Sequence, residues 1–173
     1  MAGRRRYVLL KTALLLLSAL VLQLGLVSDV RIFGAVGDVL LLVVIAAGLV
    51  DGPDRGATVG FAAGVLYDLT LDTPFGLSAL TYALVGYAVG VASAALLRPA
   101  GWWPVAFAVA ASAAAVGLYT ALGHLVGSPY PVDALPGIAL AVAAWNAALV
   151  LPVRALVRRI GRAGPDRLQL ALR

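Results

Sequence analysis

Residues 56–90 read GATVGFAAGVLYDLTLDTPFGLSALTYALVGYAVG, and their pattern decides how this chain is built. Gly56, Gly60, Gly64 and Asp68 recur every fourth residue, so they lie along one slowly drifting face of a helix. Asp72-Thr73-Pro74-Phe75-Gly76 then interrupts the apolar run, with Thr73 suited to cap the next helix and Pro74 to open it. A second apolar run from Leu77 carries Gly86 and Gly90 at the same spacing, and Gly123/Gly127 repeats it later. Gly-x-x-x-Gly lets another backbone come close, and the resulting van der Waals contact drives helix association in lipid. The pattern therefore predicts helices packed tightly in a membrane, within one bundle in preference to across a partner interface.

The rest of the chain agrees. Of its 173 residues 62% are hydrophobic and 12% charged, with mean hydropathy +1.00. An ordinary soluble domain is about half apolar and about a quarter charged. At about 20 residues per helical span there is room for six spans and roughly fifty residues of loop and tail. The first apolar segment, about 7–27, follows Arg4, Arg5, Arg6 and Lys11. It is long for a signal-peptide core and lacks an Ala-x-Ala site, so it reads as an uncleaved first helix. Segments at about 39–50, 57–71, 77–97, 104–126 and 133–153 follow, punctuated by Gly and Pro turns such as Asp51-Gly52-Pro53-Asp54-Arg55-Gly56. The second and third are short and read equally as a re-entrant pair. The expected fold is an all-α membrane bundle of about six helices over residues 1–153, followed by a basic tail over 154–173.

Six spans place all of the thirteen Lys and Arg residues on one side except Arg31. Short loops obey the positive-inside rule best, which predicts cytoplasmic N and C termini in a multi-pass membrane protein. Trp102 and Trp103 sit where an interfacial aromatic belt belongs. Tail residues Arg154, Arg158, Arg159 and Arg162 suit anionic headgroups at about 1 kcal/mol each, besides fixing orientation. Basic residues beside a membrane need no nucleic acid to explain them.

Chemistry is sparse. The chain has no cysteine, no glutamate and a single histidine, which leaves no disulfide, metal cluster, cysteine nucleophile or cofactor to expect. No nucleophile elbow, Walker loop or dinucleotide fingerprint occurs, and an enzyme is not expected. Asp68 is the polar residue of most interest, because a mid-bilayer carboxylate costs roughly 2.5–3.5 kcal/mol and must face protein or a cavity. Two readings stand open for it: accepting hydrogen bonds from the start of the next helix near Thr73 or Gly76, or contacting a ligand, proton or partner. His124 reads as structural, and Asn146 as an interhelical hydrogen bond worth about 1 kcal/mol.

The stretch Gly56-x-x-x-Gly60-Phe61-x-x-Gly64-x-x-x-Asp68, with Pro74-Phe75-Gly76-Leu77-x-Ala79-Leu80-x-Tyr82-x-Leu84-Val85-Gly86-Tyr87-x-x-Gly90, resembles the rod shape-determining protein MreD family. That resemblance implies a part in bacterial lateral wall growth at the cytoplasmic membrane. It also implies an overall fold similar to the substrate-binding subunits of energy-coupling vitamin transporters. The implied role is a non-catalytic scaffold working beside MreC, the actin-like MreB and the RodA–transpeptidase pair that builds peptidoglycan. On this reading Gly56, Gly60, Gly64, Asp68, Gly86 and Gly90 serve packing or partner contact. The rival is a vitamin-binding transporter subunit. It is disfavoured because the first helix, with Thr12-Ala13-Leu14-Leu15-Leu16-Leu17-Ser18-Ala19, lacks the Ala-x-x-x-Ala face such subunits present. A binder of lipid-linked precursors is the third possibility.

Overall fold

A computed structural model describes residues 2–27, 31–32, 35–71, 73–95, 101–127 and 134–162. Arg98 and the tail beyond Arg162 lie outside the described residues, as do the side chains of Arg4, Arg5, Arg6, Arg31 and Arg162. Helix α1 (Ala2–Leu22) runs into a π-helical turn (Gln23–Val27). A two-residue antiparallel ribbon follows, β1 (Arg31–Ile32) on β2 (Ala35–Val36), pairing Arg31 with Val36 and Ile32 with Ala35. Then come α2 (Val39–Asp51), α3 (Pro53–Asp68), α4 (Leu77–Ala94), α5 (Trp103–Leu125) and α6 (Leu135–Arg162). Helices α1, α4, α5 and α6 are long and apolar enough to cross a membrane. The fold is that of an all-α membrane protein.

The short second segment is the centre of the molecule. Every residue from Leu40 to Leu49 is buried, so α2 has no lipid-facing side. A helix apolar all round is one enclosed by protein. At about 1.5 Å per residue it is only about 20 Å long, against about 30 Å for a bilayer core. That shortfall is tolerable because α3, α4 and α6 pack around it in place of lipid. Asp38 caps its start, with Oδ1 accepting the Leu41 N–H at 2.8 Å. Gly52, at φ +86°, turns the chain directly into Pro53 at the first position of α3, the place where a missing N–H costs nothing.

Around this post, α3 lies antiparallel to α4, and α5 neighbours α6. Asn146 of α6 donates from Nδ2 to Ser112 Oγ of α5 at 2.8 Å, both fully buried, as an interhelical bond should be. Helix α1 is peripheral: only 17% of its apolar window Val8–Gly25 is buried.

Three local expectations need correction. Helix α4 starts at Leu77, behind Gly76 at φ +96°, and neither Thr73 nor Pro74 opens it. Thr73 instead accepts a 3.4 Å hydrogen bond from the Tyr119 hydroxyl. Gly127, at φ +78°, lies beyond the end of α5 and is not a helix-packing residue. Helix α6 continues past Val153, through Pro152 in its interior, to Arg162. A proline inside a membrane helix is tolerable where neighbours satisfy the freed carbonyl.

Candidate functional site

The glycine ladder joins α3 to α4. A Cβ on Gly60 would strike the Tyr82 backbone, one on Gly64 the Ala79 backbone, and one on Gly56 the Gly86 carbonyl. Reciprocally, Gly86 faces the Gly56 carbonyl, and Gly90 faces Pro53. A Cβ on Gly48 of α2 would likewise fall 2.7 Å from the Gly86 carbonyl oxygen, so three helices converge there without side chains between them. Gly56, Gly60, Gly64, Gly86 and Gly90 thus meet in one seam within the chain. In this structure the Cβ directions of Gly56, Gly60, Gly64, Gly86 and Gly90 are all filled from within the chain.

Asp68 closes this seam. Only 3% exposed, it ends α3 with its carboxylate at the start of α4. Oδ2 accepts from the Gly76 N–H at 2.9 Å and the Ala79 N–H at 3.1 Å, while Oδ1 accepts from Ser78 at 3.0 Å. The first N–H groups of a helix have no intrahelical partner and carry the positive end of the helix dipole. One carboxylate from the preceding helix therefore satisfies three of them, doing the work expected of Thr73. Of the two readings open for Asp68, the geometry gives hydrogen bonding to the next helix.

At the opposite end of the bundle Trp103 is half-buried and meets Phe107 edge-on at 5.5 Å, with the Arg154 guanidinium 4.9 Å from its ring centre. This cation–π pair ties the start of α5 to the end of α6. Trp102 is exposed, as are Arg158 and Arg159. Thus Arg154 stacks on protein, whereas Arg158 and Arg159 are exposed. His124 is exposed in the last turn of α5.

The sequence reading missed a cavity of about 370 Å³ at the end of the bundle away from those arginines. Gln23, Asp38, Tyr67, Tyr82, Tyr119 and Thr120 supply its polar lining; Leu41, Val116, Ile138 and Val142 are among its apolar walls. Tyr82 donates to Asp38 Oδ2. The Tyr67 and Tyr82 rings stack, with centroids 6.2 Å apart. The one available signal was Asp38 itself, a cap residue set directly before an unbroken apolar run. The tyrosines come from three different helices, and no local pattern joins them.

Gln23 also fastens α1. Its Nε2 donates to Gly37 O at 2.8 Å and its Oε1 accepts the Val39 N–H at 2.8 Å. Gln23→Ala would leave both groups without that partner, costing about 1–3 kcal/mol. The expected result is faster amide exchange across the last turns of α1 and the start of α2, with α5 and α6 unchanged.

A small helical membrane protein emerges, organised by close helix packing, with no group of three or more metal-binding side chains among the described residues. The family model described as rod shape-determining protein MreD matches residues 3–160, and the chain belongs to that family. It is thus a rod shape-determining membrane protein. No curated protein and no solved structure matches it.

Proposed function

We propose that this protein is a non-catalytic scaffold of the wall-elongation machinery in the cytoplasmic membrane, with both termini in the cytoplasm. It holds the transmembrane helix of MreC, and through it the MreB and RodA–transpeptidase components. The observation carrying this reading is an apolar groove of about 600 Å³ between α1 and α3. Leu9, Ala13 and Leu17 form one wall, and Phe61, Ala62 and Val65 the other. Leu9, Leu17 and Phe61 are about half exposed. Small residues in both walls leave a concave track into which the ridge of another helix can settle. Arg55 marks one end, held by a 3.1 Å bond to Thr12 Oγ1, where a partner's cytoplasmic flank would pass. The cell-shape role of the family supports an assembling protein over the rival vitamin-binding subunit.

Filling the track tests this. Ala13→Trp combined with Ala62→Trp should cut co-purified MreC at least about tenfold, the effect of losing roughly 1.4 kcal/mol of contact. Ala114→Trp, on the exposed side of α5, should leave recovery unchanged. Undiminished MreC recovery with the double variant, together with restored rod shape, would refute docking in this groove.

A further inference from the structure

We propose that the cavity between α2, α4 and α5 binds a small alkylated ammonium ion. The proposal is independent of partner docking, because groove and cavity share no lining residue. The volume, about 370 Å³, falls within the range of small-molecule pockets and excludes a whole phospholipid. Among the described lining residues none is basic and Asp38 is the only carboxylate, so no described side chain there offers an anion a counter-charge.

Hydrogen-bonding capacity narrows the class further. Gln23 is occupied at both ends, Tyr119 donates to Thr73, and the Thr81 and Thr120 hydroxyls donate to carbonyls of their own helices. Tyr82 donates to Asp38, and Leu41 takes the other carboxylate oxygen. A ligand rich in hydroxyls would have to compete with this network. An alkylated ammonium does not: it needs charge, ring faces and apolar contact. Three tyrosines border the cavity, Asp38 supplies the charge, and Val116, Ile138 and Val142 supply the apolar contact. Carboxylate with aromatic rings is the general way proteins hold such cations.

The same headgroup chemistry exists free, as choline, and on a lipid, as phosphatidylcholine. The test uses full-length protein in nanodiscs of phosphatidylglycerol alone, at mildly alkaline pH, titrated calorimetrically with choline. Its uncharged isostere 3,3-dimethylbutan-1-ol serves as the comparison. Saturable one-to-one binding, at least about tenfold tighter for choline, is expected, since that ratio corresponds to about 1.4 kcal/mol from the charge. Asp38→Asn keeps a capping oxygen for Leu41 yet should weaken choline about tenfold and the alcohol little. Val116→Phe narrows the cavity from α5 without touching the polar network, and should weaken both. Undiminished choline binding after phosphatidylcholine is added to the nanodiscs identifies a free solute; displacement identifies the headgroup. No saturable binding by wild-type protein, or equal binding of the alcohol, overturns the proposal even if both variants misfold.

Discussion

Gly64→Leu is expected to remove folded protein from the membrane altogether, with loss of every partnership following from that. A Cβ alone would already collide with the Ala79 backbone, and no flexible side-chain end is there to yield. The α3–α4 pair must separate along its length, because Gly60 and Gly56 hold the same two backbones in contact one and two turns away. Overpacking typically costs about 1–3 kcal/mol and more where backbone must move, so at least about 3 kcal/mol is expected. Denaturant unfolding of the purified protein in detergent measures this, with membrane accumulation in cells as the second readout. Gly117→Leu makes the control: it lies within α5, where a Cβ meets nothing within 4 Å. A Gly64→Leu protein with wild-type stability that had lost only its partners would show that the seam is an external interface after all.

Asp68→Ala should come next in severity. It strands the N–H groups of Gly76, Ser78 and Ala79 at a buried helix start. A buried donor left unmet costs about 1–3 kcal/mol, so a total near 3 kcal/mol is expected after partial relaxation. Asp68→Asn should fall between. Its amide oxygen can keep the Gly76 and Ala79 bonds, while its NH₂ would face the Ser78 donor. About 1–2 kcal/mol is therefore the expected cost. This graded order, Ala worse than Asn and Asn worse than wild type, should appear in unfolding midpoints. A protein that lost function on Asp68→Asn while keeping full stability would instead need the charge itself for its task.

Element positions were largely legible because proline and glycine punctuate the chain. Pro53 does open α3, and the apolar run from Val39 does begin α2. Thr73 and Pro74 misled for a nonlocal reason. The acceptor that caps α4 lies eight residues before Gly76, at the end of the previous helix, and spacing rules for caps look only a few residues back. The basic residues from Arg154 onward read as a tail after the sixth segment, yet α6 runs on to Arg162. The small face of the glycine ladder could be read directly, but not which helix covers it, since any small-residue face accepts any close backbone. The cavity was invisible: Gln23, Asp38, Tyr67, Tyr82 and Tyr119 are scattered across nearly a hundred positions and meet only when five helices are assembled.

The brevity of α2 has one more consequence. This central post is roughly 10 Å shorter than a bilayer core is thick, and a recess lies at its Asp38 end. Asp38 and its tyrosines form the floor of that recess. The molecule therefore presents a carboxylate and tyrosine hydroxyls at one end of α2, and only apolar residues along the enclosed run Leu40–Leu49 beyond them.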